Sequence, residues 1–281
     1  MTGHMAGNND SGFLAIDVGS SRVKLGWFQP VGQCTAQDKP ASLPIAAPTL
    51  PQPSETLAIS HDNTTLLFQQ LSAWLQAVCP AAPPAYVASV HPEALAILQE
   101  MFAQRLTVVT AASVPIEVLV EHPEKVGIDR LLNALAIHQV RRPQTPAIVI
   151  DLGTACTVDR ISADGQFEGG AILPGVRLAA EALHSGTAAL PRLALDSFAA
   201  VEPVGKSTQA AMHSGLLWGM VGAVSELIAR MSQEDAVPRQ VYLTGGDAPL
   251  LAEHLPADGI SLRHIPNLVL SGIALVAGEL S

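Results

Sequence analysis

Short apolar runs alternate with longer segments of mixed polarity along most of the chain. Several runs are rich in β-branched residues and stop at Gly or Pro, which is typical of strands. These runs predict strands at residues 13–17, 23–28, 85–89, 106–110, 147–151, 156–161 and 240–244. Periodic apolar positions and capping residues predict helices at residues 62–78, 92–104, 126–141, 175–184, 206–231 and 267–280. This alternation of strands and helices indicates an α/β protein.

Two of the predicted strands end in the same kind of turn. In both FLAIDVGSSRVK (13–24) and AIVIDLGTACTV (147–158), an apolar run is followed by Ile-Asp, an apolar residue, Gly and a hydroxyl residue. A carboxylate at the end of a buried strand needs a metal ion, water or hydrogen-bond donors beside it. The Gly permits close approach of a ligand, and the next amides and hydroxyls suit phosphate oxygens. A single Asp-x-Gly also fits a simple tight turn, but the repeat predicts two related α/β halves with a ligand cleft between them.

Two segments are unlike the rest of the chain. Residues 1–12 lack a basic region followed by an apolar one, so we expect a disordered tail rather than a signal peptide. Residues 29–56 are rich in Pro, Ala and Gln, and we expect an extended surface connection there. No apolar run reaches about 18 residues, so the sequence predicts no membrane span.

Composition narrows the class of protein. With 281 residues, 48% hydrophobic and 14% charged, the chain is long enough for one large or two modest domains. The net charge of −10 argues against a protein that coats nucleic acid. The cysteines are odd in number and lack paired metal-ligand spacing, which favours reduced thiols and a cytoplasmic location. They are Cys34, Cys79 and Cys156.

The motifs resemble those of a known superfamily. Asp-x-Gly-x-Ser-x-x-Lys (17–24), Asp-x-Gly-Thr (151–154) and TGGDA (244–248) are similar to motifs of the acetate and sugar kinase, Hsp70 and actin superfamily. Within it, HPEKVGIDRLLNALA (122–136) and DLGTACTVDRISADGQFEGGAILPG (151–175) resemble type III pantothenate kinase.

The resemblance extends from about residue 13 to 278. It implies an actin-like ATPase architecture of two ribonuclease H-like domains, taken as residues 13–122 and 123–281. It also implies ATP-dependent phosphorylation of pantothenate to 4′-phosphopantothenate, the first step of coenzyme A biosynthesis, by a homodimer.

The resemblance also implies which residues form the site. The ATP-binding residues would be Asp17, Val18, Gly19, Ser20, Ser21, Arg22, Val23, Lys24 and Thr154. The pantothenate-binding residues would be Gly127, Ile128, Asp129, Arg130 and Thr208. Asp129 would be the catalytic base, Arg130 would hold the pantothenate carboxylate, and Asp151 would bind a monovalent cation, K⁺ or NH₄⁺. Magnesium would accompany ATP.

The chain departs from the family pattern at two places. Ser20 and Ser21 stand where the family usually has Asn-Thr, and Val120 stands where a substrate-binding tyrosine is usual. Two alternatives therefore stay open. One is a non-catalytic relative like the Bvg accessory factors of virulence-gene expression, and the other is a kinase for a different small hydroxyl substrate. Asp129 and Arg130 favour a kinase.

Overall fold

The computed structural model describes residues 12–29, 49–60, 64–79, 82–195, 201–233, 239–255 and 260–280. The chain forms two compact units. The first comprises Met1–Ile116, His122–Val140 and Asn267–Ser281, and the second comprises Glu117–Glu121 and Arg141–Pro266. The expected tail lies outside the described residues except for Gly12, as does most of the expected surface connection at residues 29–56.

The first unit contains a five-stranded sheet with the order β3-β2-β1-β4-β5. Its strands are β1 (Phe13–Val18), β2 (Arg22–Phe28), β3 (Glu55–Ser60), β4 (Ala85–Ser89) and β5 (Leu106–Val108). β1, β2 and β3 are antiparallel neighbours, whereas β4 and β5 continue the sheet in parallel with β1. Its first three helices are α1 (Thr64–Val78), α2 (Pro92–Phe102) and α3 (Ile128–Val140).

The second unit repeats this topology. Its strands are β6 (Ala147–Leu152), β7 (Ala155–Ile161), β8 (Phe167–Pro174), β9 (Arg239–Thr244) and β10 (Ile260–His264), in the order β10-β9-β6-β7-β8. Three antiparallel strands are again followed by two parallel ones, with β6 in the place of β1. Its helices are α4 (Val176–Ser185), α5 (Thr208–Met231) and α6 (Ala248–Ala252). The prediction of two related α/β halves from the doubled turn is confirmed.

The core of the first unit holds α3 in place. The chain ends in α7 (Leu268–Leu280), which packs on β1, β2 and β4 and also on α3. Seven consecutive residues of α3, from Leu131 to Ile137, are buried. Because apolar burial of this extent fixes the helix, residues at its first turn are held on a rigid element. Among the described residues, no helix is both long and apolar enough to cross a membrane.

The structure differs from the predicted elements at the sheet edges. Strands β3, β8 and β10 are absent from the sequence-based prediction, and each is an edge strand of its sheet. β3 buries a single residue, Ile59, while Gly169, Gly170 and Pro174 interrupt the apolar pattern of β8. The short helix α6 was also absent from the prediction. The observed division also differs from a single boundary after residue 122. His122–Val140 and Asn267–Ser281 belong to the first unit, because α3 and α7 pack with the first sheet.

Candidate active site

The first Asp-x-Gly turn joins β1 to β2. Asp17 is 8% exposed and lies opposite Lys24 in the antiparallel pair, so their side chains share one face of the sheet. The Gly19 N–H donates to the Arg22 carbonyl oxygen at 3.0 Å and closes the turn. The hydroxyl of Ser20 is on an exposed residue. The turn therefore presents an ammonium group and hydroxyls, which suit phosphate oxygens, beside the Asp17 carboxylate, which suits a cation.

Two residues of this turn have a different role from the others. Val18 and Val23 are fully buried and belong to the apolar core of the first unit. Their side chains support the turn, so only their backbone groups are suited to contact a nucleotide.

The first turn of α3 carries Asp129 and Arg130. Asp129 Oδ1 accepts the backbone N–H of Arg130 at 2.9 Å, and the Gly127 carbonyl oxygen accepts the same N–H at 3.1 Å. A Cβ added at Gly127 would lie 2.5 Å from Asp129 Oδ1, so glycine leaves room for this carboxylate. A negative charge is favourable at a helix N-terminus. One carboxylate oxygen is thus fixed by the backbone, which leaves Oδ2 as the oxygen suited to meet a substrate hydroxyl.

The second Asp-x-Gly turn joins β6 to β7 in the other unit. The Gly153 N–H donates to the Ala155 carbonyl oxygen at 3.0 Å. This turn is one residue shorter than the first, since Leu152 faces Cys156 directly across the hairpin. Asp151 is half-buried, whereas Thr154 is exposed. Thr154 is accordingly the residue of this turn whose side chain is most open to a ligand.

Two further loops pack against the second turn. The Gly175 N–H, at the start of α4, donates to the Thr154 carbonyl oxygen at 3.0 Å. The Asp247 N–H, in the loop after β9, donates to the Leu152 carbonyl oxygen at 3.1 Å. Gly245 precedes it with φ of +93°, and a Cβ added there would overlap the Leu152 carbonyl oxygen and lie 2.6 Å from Asp151 Oδ1. The residues of TGGDA (244–248) were not predicted to belong to the site; the signal in the sequence was a pair of glycines directly after a strand.

Gly245 is expected to be required for this packing. Gly245→Ala forces a side chain into a left-handed backbone and against the β6 carbonyl oxygen, so we expect a loss of roughly 1–3 kcal/mol in the free energy of unfolding. Thermal unfolding measures the effect. The matched control is Gly246→Ala, because a Cβ added at Gly246 meets no atom within 4 Å. Equal melting temperatures for the two variants would contradict the assignment of strain to Gly245.

Thr208 and Val120 also lie in the second unit. α5 begins at Thr208, and Ser207 is its N-cap, since Ser207 Oγ accepts the Ala210 N–H at 3.2 Å. Thr208 is exposed and does not serve as the cap. Val120 lies beside β8, where a Cβ added at Gly169 would be 3.2 Å from Val120 Cγ1. Val120 therefore faces a residue without a side chain.

The two described cysteines are poor nucleophiles. Burial, together with the charges of Asp151 and Asp159, raises the pKa of Cys156 to about 12. Burial raises the pKa of Cys79 to about 11. Both thiols stay protonated near neutral pH, which suits core residues. In the described ranges, His, Cys, Asp and Glu side chains form no group of three or more that would hold a metal ion by themselves.

Two units of the same topology, each with an Asp-x-Gly turn after its first strand, define the fold shared by sugar kinases and actin-like ATPases. The solved structure of a glucokinase from Balamuthia mandrillaris in complex with glucose is similar, with a TM-score of 0.50 at 11% identity over 95% of this chain and 93% of that one. The Alp12 filament structure also has a TM-score of 0.50 at 11% identity, over 97% of this chain and all of the other. These similarities confirm the predicted fold class.

The comparison with protein families is more specific. The family model for type III pantothenate kinase matches residues 13–230. A protein of that name from Rhodospirillum rubrum is 46% identical over 153 residues, 53% of this chain and 58% of that protein. Another from Gluconobacter oxydans is 39% identical over 227 residues, 76% of this chain and 82% of that protein. The chain belongs to the type III pantothenate kinase family, as the sequence motifs predicted, and a kinase family of this kind uses ATP with a divalent metal ion.

Proposed function

We propose that this protein transfers the γ-phosphoryl group of ATP to the 4′ hydroxyl of pantothenate, the first step of coenzyme A biosynthesis. The observation that carries the proposal is the position of Asp129. It is half-buried at the start of α3, with one carboxylate oxygen fixed by the backbone. Membership of the family supports the choice of pantothenate as the substrate.

Asp129 is proposed to orient the substrate hydroxyl and accept its proton. Phosphoryl transfer needs the attacking oxygen in line with the leaving oxygen, so positioning and charge stabilisation account for most of the rate. Arg130 follows Asp129 directly on the same rigid helix. Its planar guanidinium is suited to bind the pantothenate carboxylate through two hydrogen bonds. Thr208 would supply a hydroxyl to the same substrate.

The nucleotide is proposed to bind both Asp-x-Gly turns. On the first turn, Lys24 provides a positive charge and the serines provide hydrogen-bond donors for phosphate oxygens. On the second turn, the exposed Thr154 provides another hydroxyl. When bound, magnesium offsets the negative charge of the phosphates. The serine pair lacks the amide of the usual family turn, so we expect a modest loss of ATP affinity.

Asp151 is proposed to bind K⁺ or NH₄⁺. Its carboxylate is half-buried at the end of β6, where the Gly245 backbone approaches it closely. Oxygen ligands in a confined site suit a hard cation, and that cation would offset the charge between Asp151 and the phosphates.

The protein is further proposed to act as a cytoplasmic homodimer. The second unit exposes large apolar side chains, which a second copy would cover: Leu119 is 48% exposed, Ile172 64% and Leu178 46%. Free thiols at Cys79 and Cys156 fit a reducing compartment. The net charge of −10 supports small-molecule substrates rather than nucleic acid.

Stimulation of ADP release by different hydroxyl compounds tests the choice of substrate. With ATP, magnesium and potassium present, ADP release should rise when millimolar pantothenate is added. Val120 stands where the family usually has a tyrosine, and the missing aromatic ring favours one other candidate function, a kinase for a different small hydroxyl substrate. ADP release that other hydroxyl compounds stimulate more than pantothenate would support that candidate. No ADP release under any cation would support a non-catalytic relative.

Restoring the aromatic residue is expected to strengthen pantothenate binding. Val120→Tyr adds a hydroxyl donor worth about 0.5–1.5 kcal/mol, so KM for pantothenate should fall by up to about tenfold with kcat little changed. Val120 is half-buried and faces Gly169, which contributes no side chain beside it. The control is Leu66→Tyr, since Leu66 is exposed on α1 of the first unit, outside the proposed site and the proposed dimer face. A KM that rises in Val120→Tyr, or that falls equally in the control, would contradict this interpretation.

A further inference from the structure

We infer that Arg177 binds the phosphate chain of the nucleotide. The inference rests on the proposed function, because it requires ATP to bind at the Thr154 turn. Neither the sequence motifs nor the family resemblance assigns Arg177 a role. Three observations on the second unit support it: the attachment of α4 to the turn, the contact of Arg177 with Asp247, and the balance of charge.

The first turn of α4 is attached directly to the Thr154 turn. The Gly175 N–H donates to the Thr154 carbonyl oxygen at 3.0 Å. A Cβ added at Gly175 would overlap the Gly153 carbonyl oxygen, so the two backbones approach as closely as they can. Arg177 is the second residue of α4 and is therefore held beside the Thr154 turn.

The Arg177 side chain extends toward the loop after β9. Its Nε lies 4.0 Å from Asp247 Oδ1, and the Asp247 N–H donates to the Leu152 carbonyl oxygen. The Arg177 side chain is 57% exposed, whereas that of Asp247 is 24% exposed. A guanidinium carries five N–H donors, so a loose contact through Nε leaves both terminal nitrogens to bind two oxygens of a phosphate.

A positive charge is favourable beside this turn. Asp151 and Asp247 both lie at the turn, and a polyphosphate would bring further negative charge to it. Two other arginines of the second unit have close carboxylate partners already: Arg160 pairs with Glu168, and Arg192 pairs with Glu181 at 2.7 Å. Among the described residues, the carboxylate contact of Arg177 is the longer one with Asp247, so its charge is well suited to be shared with a phosphate.

The test compares nucleotide binding in matched variants. Arg177→Gln is expected to weaken ATP binding roughly tenfold, measured by calorimetric titration in magnesium and potassium, since it removes charge-assisted hydrogen bonds. Arg177→Lys should have an intermediate affinity for ATP, because it keeps the positive charge but loses the paired N–H donors of the planar guanidinium. Adenosine should bind the three proteins equally, as it has no phosphate. In kinetics, KM for ATP should rise while KM for pantothenate stays the same.

The control is Arg192→Gln, an exposed arginine already paired with Glu181, which should bind ATP normally. Unchanged ATP affinity in Arg177→Gln, with weakened affinity in Lys24→Ala, would overturn the role of Arg177 and leave the proposed function standing. An equal loss for adenosine, or in Arg192→Gln, would also overturn it, since the effect would then not depend on phosphate or on this position. Failure of the unmodified protein to bind ATP would overturn both.

Discussion

Asp129→Asn is expected to lower kcat by roughly a hundredfold or more while leaving the fold intact. A lost general base typically costs this much. The substitution keeps the oxygen that accepts the Arg130 N–H at the start of α3, so it removes basicity without removing that hydrogen bond. The measurement is steady-state ADP release at saturating ATP and pantothenate, with circular dichroism and thermal unfolding to confirm that the variant folds.

The control for Asp129 is a nearby acid outside the proposed site. Glu124 lies in the single helical turn before α3, with its side chain 67% exposed, and Glu124→Gln should retain normal turnover. Near-normal kcat in well-folded Asp129→Asn would contradict the role of Asp129 as the base. A drop in both variants would instead indicate a general sensitivity to charge.

The second large effect concerns the monovalent cation. Activity in a buffer with sodium or Tris as the only monovalent cation is expected to be low, and potassium should restore it by at least about tenfold, comparable to the loss of a metal-site residue. Asp151→Ala should abolish the response, because the carboxylate would no longer be present to bind the cation. The readout is initial rate as a function of potassium concentration.

Asp164→Ala is the matched control for Asp151. Asp164 is an exposed acid at the β7–β8 turn of the same unit, and its loss should leave the potassium response unchanged. An unmodified enzyme that works equally well with and without potassium would contradict the cation site without affecting the fold or the family.

Features that depend on local sequence patterns could be predicted from the sequence alone. The Asp17 and Asp151 turns could be predicted because a buried strand that ends in Asp-x-Gly is visible in any short window. The repeated topology then followed from the two copies. Edge strands such as β8 escaped prediction, because their few buried residues and their glycines leave no clear alternation.

The remaining features depend on contacts between residues far apart in the chain. The place of α3 depends on α7, more than a hundred residues later, which fills the face of the first sheet. The role of Gly245 becomes visible only when its backbone lies against Leu152. Likewise, nothing near Arg177 in the sequence indicates its contact with Asp247. Such packing follows from tertiary structure, not from periodicity or composition.

Product identification tests the central claim most directly. The purified protein is incubated with ATP, magnesium, potassium and millimolar pantothenate, and the product is analysed by mass spectrometry and phosphorus NMR. We expect one phosphate ester, on the 4′ hydroxyl of pantothenate, formed in equal amount to ADP and formed roughly a hundredfold more slowly by Asp129→Asn. ADP release without a phosphorylated pantothenate, or no reaction at all with protein shown to be folded, would contradict the account.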